Sequence, residues 1–313
     1  TTGFIYLLVK ALQDDGKKNK TSKTDSYEFM MLVYNTEKAE IKSYPIEIQK
    51  YFPSNVTFTL NAKEEIVVCG FFSAKTTKVA GEFIGAFYLV IDPRIEKFLP
   101  PPGPKDYFLL FDKEFLGQNA QERNGLLPEQ YNNYIIKDMF TLSNGGYILL
   151  AENYFETVST YTDPQTKKET KLTYFNYNDI IAIGVSREGK MAFAKRIAKN
   201  QNSLDDYGYY SSYYATVDFS KVKIMFNDNP ANASKEKPLD KLKVIKFLPE
   251  KAPKSTAYMV TIYTDGSFEK DPMFSGKDEK TAIIPRMIYK KEDRYITVSM
   301  KGKVFKFGGF FFE

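Results

Sequence analysis

The sequence predicts an all-β chain built from repeated four-stranded antiparallel units, and three observations carry that expectation. Aromatic residues are abundant, with 23 Tyr and 26 Phe in 313 residues, and β-branched residues are plentiful. Apolar positions alternate with period two in short runs, the pattern of half-buried strands. Strand, tight turn and strand then recur, with first strands beginning near residues 56, 134, 213 and 284.

Taken in order, "FIYLLVKAL" and "YEFMMLVYNTEKAEIKSYPI" supply the last three strands of a first unit. In the second unit, "VTFTLNAKEEIVVCGFF" turns at Asn61 to Glu65 and "GAFYLVIDPRIEKFLP" turns at Asp92-Pro93-Arg94. The third is the clearest. Ser143-Asn144-Gly145-Gly146 offers the positive-φ positions of a tight hairpin, and "NDIIAIGVSREGKMAFAKRI" gives strands Ile180 to Ser186 and Met191 to Ile197 around Arg187-Glu188-Gly189. A fourth runs "YYATVDFSKVKIMF" and, after a long gap, "TAYMVTIYTDGSFEK". The chain closes on "IPRMIYKKEDRYITVSMKGKVFKFGGFFF", the start of a fifth.

Repeated antiparallel units of this kind bury both faces against neighbours when arranged radially, which is the β-propeller. A pair of β-sandwiches or a split β-rich domain are the competing architectures. The expectation is one propeller-like domain over 1–313, with blades at approximately 1–50, 51–100, 130–198, 212–270 and 282–313 and a long insertion at 100–133. Two blades read as incomplete, and because the first strand looks entered partway through a unit, further blades before Thr1 are expected.

Topology then separates two ends of the molecule. Turns between first and second, and third and fourth, strands are short, at 61–65, 92–95, 143–146, 187–190 and 264–266. The other connections are mostly long: 13–26, 73–84, 100–133, 154–172, 199–212 and 227–255. One end is trimmed and the other elaborated, and function tends to sit on loops held by a rigid scaffold. The crossover "DDYGYYSSYY" belongs to the elaborated end and concentrates Tyr207, Tyr209, Tyr210, Tyr213 and Tyr214. Tyrosine joins an apolar body to a polar tip and suits contact surfaces. Tyr213 and Tyr214 are expected to open the next inner strand, which leaves Tyr207, Tyr209 and Tyr210, with Asp205 and Asp206, as the candidate partner-binding residues.

What is missing limits the chemistry. Histidine is absent from the sequence, which removes Ser-His and Cys-His nucleophiles and His-ligated metals. The lone Cys69 lies in an apolar strand pattern and reads as an inert buried thiol. Asn227, Asp228 and Asn229 lack the acidic count of a calcium loop and read as a turn, so neither cofactor nor metal is expected. The net charge of +5 is dispersed, which argues against nucleic acid. Neither an 18-residue apolar run nor an export signal is visible.

Read together, "EEIVVCGFFSA", "GEFIGAFYLVID", "GGYILLAENYFE", "NDIIAIGVSREGKMAFAKRIAKNQ", "FNDNPAN" and "MIYKKEDRYITVSMKGKVFKFG" resemble a group of uncharacterised secreted β-propeller-like proteins of Bacteroidota. The resemblance covers most of the chain from about residue 50 onward, and its motifs mark lineage and fold. It implies a cell-envelope location, periplasmic or at the cell surface, and by analogy a setting among outer-membrane, gliding or secretion assemblies. The functional expectation is a non-enzymatic scaffold that docks on an outer-membrane protein partner through its long-loop end. Its rival is a carbohydrate-binding or glycoside-hydrolysing propeller that stacks glycan on the tyrosines and uses two carboxylates, chemistry that needs no histidine.

Overall fold

The computed structural model describes residues 3–12, 27–48, 51–74, 83–100, 106–112, 115, 133–235, 237–247, 255–275, 282–301 and 304–311. They form five antiparallel sheets in chain order. The first comprises β1 (Phe4–Leu12), β2 (Tyr27–Asn35) and β3 (Glu40–Pro45). The second comprises β4 (Tyr51–Leu60), β5 (Ile66–Ala74) and β6 (Gly85–Asp92), with an outer strand split into β7 (Lys97–Leu99) and β8 (Phe108–Leu110).

The third sheet repeats that device. It contains β9 (Tyr134–Thr141), β10 (Tyr147–Thr162) and β11 (Glu169–Val185), and its outer strand is divided into β12 (Met191–Ile197) and β13 (Gln201–Leu204). The fourth holds β14 (Tyr214–Asp218) and β15 (Lys221–Asp228), followed by a long excursion whose strand β16 (Ile245–Phe247) pairs in parallel with β13 of the third sheet. It resumes with β17 (Thr256–Ile262) and β18 (Phe268–Ser275). The fifth contains β19 (Ala282–Ile283) and β20 (Tyr289–Lys291) on one edge of β21 (Arg294–Lys301), and β22 (Val304–Phe311) on the other.

Period-two alternation decides how these sheets stack. On β5, Ile66 and Val68 face the first sheet, joining Met31, Val33 and Phe87, while Val67 and Cys69 face the third, joining Leu149, Ile181 and Ile183. On β10, Leu149 and Ala151 face the second sheet, and Ile148 and Leu150 face Val222, Ile224 and Val260 of the fourth. Met225 and Met259 carry the stack on to Ile283 and Tyr295 of the fifth. Every interior sheet is thus covered on both faces, with roughly 1.5–3 kcal/mol from each fully buried aliphatic or Phe side chain. Inner strands also meet: β4 touches β9, and β9 touches β14. Serial face-to-face stacking with first strands converging makes the molecule an all-β propeller of antiparallel blades.

Short turns gather at one end. Ser143 of one turn donates its N–H to Phe219 O of the next blade's turn, and Gly145 and Gly189 take the left-handed φ of 86° and 77° that their turns require. At the other end, four connections differ from the sequence expectation: β8 lies within 100–133 and β16 within 227–255, both read as loop, and two more depart further. Residues 154–172, read as a loop, are mostly an extension of the β10–β11 hairpin that stays in register to Thr162↔Glu169. Its alternation is of Thr, Ser, Val and Tyr against Lys and Glu, so the apolar signal used to find strands is absent although β-propensity is high. Residues 201–204, placed in the crossover, form β13.

Candidate functional site

The crossover from the third blade to the fourth is reduced to residues 205–213, and its backbone is unusual. Asp205, Tyr207 and Ser212 adopt φ of 50°, 55° and 70°, with Gly208 at 68°. For non-glycine residues the left-handed region costs roughly 1 kcal/mol or more each, so three within eight residues persist only where surroundings enforce them. The enforcing contacts can be named. Asp205 N donates to Thr173 O and Asp205 Oδ1 accepts from Thr173 N at 2.8 Å. Asp206 Oδ1 accepts from Gly208 N at 2.8 Å, and Gly208 presses on the ring of Tyr177, where a Cβ would lie 2.3 Å from a ring carbon. Asn227 Nδ2 donates to Tyr210 O at 2.9 Å, and Arg286 donates to Tyr207 O at 3.2 Å and Tyr177 Oη at 2.5 Å.

Beneath the loop lies a buried polar cluster centred on Glu152. One carboxylate oxygen accepts from Lys199 Nζ at 2.7 Å, the other from Lys137 Nζ at 3.0 Å and Ser212 Oγ at 2.7 Å. Lys199 is fully buried and places its remaining donors on Tyr177 O and Gln201 Oε1, both at 3.0 Å. Gln201 Oε1 also accepts from Ser212 N at 2.7 Å, and its amide donates to Asn227 O at 2.6 Å. Burial alone would raise the pKa of Glu152, but Lys199 and Lys137 outweigh it and hold the carboxyl below its ordinary value. Burial lowers that of Lys199, against the pull of Glu152. The ammonium and carboxylate are bonded to each other, fully hydrogen-bonded, and buried away from any substrate.

The five tyrosines divide by depth. Tyr213 is buried between the third and fourth blades, and Tyr214 opens β14. Tyr210 is half-buried, stacked on Phe247 at 5.6 Å between centroids, with Tyr209 edge-on to it at 5.1 Å. Tyr207 leans on Phe175, with ring centroids 5.5 Å apart and planes tilted by 42°, and is 78% exposed. A large aromatic ring standing in solvent on a clamped, strained backbone is what the arrangement offers. Asp205 commits a carboxylate oxygen to Thr173 of β11, and Asp206 commits one to Gly208 within the loop.

Sequence reasoning missed the clamp. Glu152 and Asn153 were visible only as polar residues inside the apolar run "YILLAENYF", and Lys137, Lys199, Gln201 and Arg286 carried no local signal. Other buried carboxylates are likewise committed to cations. Asp179 accepts from Arg196 Nε at 2.8 Å, and Asp228 from Lys270 Nζ at 2.9 Å and Asn232 Nδ2 at 2.9 Å. Asn227, Asp228 and Asn229 therefore serve the fold, and among the described residues no cluster of three Asp, Glu or Cys could hold a metal. An open cleft of about 330 Å³ lies at the trimmed end, lined by Asn144, Arg187, Glu188 and Thr264 of three short turns. Among the described residues no helix is long and apolar enough to cross a membrane.

No protein-family profile matches the chain, and the search of curated proteins returned no match. Among solved structures, similarity is found to the polysaccharide lyase Uly1, at 10% identity and a TM-score of 0.26 over 98% of this chain and 79% of that one. The β-propeller domain of the Trilobed protease from Pyrococcus furiosus is similar at 8% identity and 0.29, over 98% and 79%. The exo-β-1,3-galactanase 1,3Gal43A from Clostridium thermocellum is similar at 7% and 0.25, over 98% and 56%. Identities and scores this low leave the site to be read from the chain's own geometry.

Proposed function

We propose that this chain is a non-enzymatic interaction module of the cell envelope, which docks on an outer-membrane protein through the platform formed by Tyr207, Tyr209 and Met287. One observation carries the reading: Tyr207 is held exposed by a loop whose strain is offset by a buried, fully satisfied polar cluster. Strain held in place beneath an exposed aromatic ring is a mark of pre-organised recognition, because the ordering cost is met before the partner arrives. Tyrosines in such positions dominate interface energetics. Met287 extends the surface: its sulfur lies 3.6 Å from Tyr209 Oη and the residue is 44% exposed.

The same ring could stack a sugar, and that second reading draws on the exposed face of Tyr207. Hydrolysis gains no support from the buried carboxylates, since Glu152, Asp179 and Asp228 are each neutralised by a cation. Affinity capture from the native envelope with the wild-type chain and Tyr207→Ala side by side tests the proposal. An outer-membrane protein retained by the first and lost by the second is expected. Identical retention would refute the platform, and binding of the wild-type chain to a glycan array, lost in the variant, would move the reading to carbohydrate.

A further inference from the structure

Beyond the body of the third blade, β10 and β11 continue as a two-stranded ribbon. β9 accompanies β10 only over Tyr147 to Asn153, and β13 accompanies β11 only over Tyr174 to Tyr177. From Phe155 to Thr162 the outer edge of β10 has no strand beside it among the described residues.

Which main-chain groups face that edge follows from Tyr154. Its N–H donates to Asn133 O at 2.9 Å, and its C=O accepts from Asn133 Nδ2 at 2.6 Å, so both point to the side β9 occupies. In an extended strand the N–H and C=O of one residue share a side and the next residue's point the opposite way. The register with β11 is unbroken from Tyr154 to Thr162, so Glu156, Val158, Thr160 and Thr162 present their donors and acceptors outward. Thr157, Ser159 and Tyr161 bond inward to β11.

Open edges are ordinarily blunted by charge, proline or a bulge, because unpaired ladder groups recruit strands. This one is not. "TVSTYT", Thr157 to Thr162, has no charge, proline or glycine, and all but Ser159 are β-branched or aromatic. The neighbouring strand and its turn carry Lys167, Lys168, Glu169 and Lys171 within five residues. Val158 and Tyr161, 63% and 51% exposed, stand on opposite faces and offer side-chain contacts on each. The site also adjoins the platform: Phe175, against which Tyr207 rests, is the cross-strand partner of Glu156.

We propose that the outer edge of β10 from Glu156 to Thr162 is a strand-addition site, where an extended, β-branched-rich segment of the protein partner lies antiparallel, prolonging the row β9 fills as far as Asn133. This deepens the docking reading and rests on it, since the occupant is a segment of that protein. Main-chain bonds would supply affinity, and alternate side chains on the ribbon's two faces selectivity.

Random nine-residue peptides displayed on phage are selected against the full chain, and survivors are measured as synthetic peptides against wild type, Val158→Pro/Thr160→Pro and Tyr207→Ala. Both prolines delete outward donors and leave the β11 ladder its own, a position at which edge strands accept proline. Selected peptides rich in Val, Ile and Thr are expected, with affinity falling about tenfold or more in the double proline chain, the loss anticipated for two main-chain bonds. If the proline chain has a lowered melting midpoint, Val158→Lys/Thr160→Lys replaces it; it keeps the donors but sets two charges along the edge, the device by which open edges repel added strands, and binding is expected to fall clearly below wild type. Equal binding to wild type and both edge variants, or failure of selection to enrich any peptide, overturns the strand site. So does self-association of the wild-type chain abolished by the edge substitutions, because the occupant would then be a second copy. The edge and the platform fail separately, since platform loss is read from Tyr207→Ala in the envelope capture.

Discussion

Ser212 joins the tyrosine loop to the blade beneath it, and its replacement gives the sharpest test of that join. Its hydroxyl donates to the buried carboxylate of Glu152 at 2.7 Å, a hydrogen bond to a charged acceptor out of water. Removing such a bond and leaving the acceptor one donor short costs roughly 1.5–3 kcal/mol. Ser212→Ala keeps a Cβ at φ 70°, so the backbone strain is unchanged and the whole loss appears. Ser212→Gly loses the same bond but relieves the left-handed strain, partly offset by the greater freedom of its unfolded chain, and should be about 0.5–1 kcal/mol less destabilised than the alanine variant. Urea unfolding followed by far-UV circular dichroism, with the slope unchanged, reads both numbers. Alanine and glycine variants both within about 0.5 kcal/mol of wild type would show that the bond does not hold the loop, and glycine below alanine would refute the strain argument.

Three further outcomes are expected. Glu152→Gln leaves Lys199 buried without a counter-charge and should cost about 3–5 kcal/mol at pH 7. Because the folded pKa of Glu152 is depressed, its contribution is complete above the ordinary value of 4.5 and is lost as pH falls through the folded value, so the gap between wild type and variant in urea should narrow below pH 4.5. Cys69 is buried and its thiol is pushed far above the ordinary range by desolvation, so the folded chain should not react with a disulfide reagent until denaturant is added; prompt labelling would contradict the packing of the second and third blades. Gly70→Ala would set a Cβ 2.1 Å from Asn55 O of β4, a backbone clash expected to cost more than about 3 kcal/mol, and a thermal midpoint equal to wild type would refute the β4–β5 register.

Much of this fold was legible because its signals are local. Arg187-Glu188-Gly189 and the alternation in Met191 to Ile197 sit within a dozen residues and specify the hairpin of β11 and β12 outright. The ribbon of β10 and β11 was not legible, since its strands are mostly Thr, Ser, Lys and Glu and carry no alternation of apolar residues. The site was half visible. A cluster of tyrosines in a crossover is conspicuous, and the place of Tyr213 and Tyr214 next to a strand set them apart, although only Tyr214 enters β14 while Tyr213 is buried just before it. The clamp was not visible, because Glu152 meets Lys199 across 47 residues and Ser212 across 60, and Arg286 meets Tyr177 across 109. Contacts that long-range arise from the pairing of distant strands within a blade and from the packing of the next blades onto it, which no single stretch of sequence encodes.

The proposed role of Tyr207 requires the tyrosine loop to be rigid before any partner arrives, and amide hydrogen exchange of the free chain measures that directly. Slow exchange is expected at Asp205, Gly208, Tyr209, Ser211 and Ser212, whose N–H groups are bonded to Thr173, Asp206, Asp206, Gly208 and Gln201, with fast exchange at Tyr207 between them. Uniformly fast exchange from 205 to 213 would make the loop a loose tether, and the exposed ring of Tyr207 would lose the pre-organisation on which its proposed role depends.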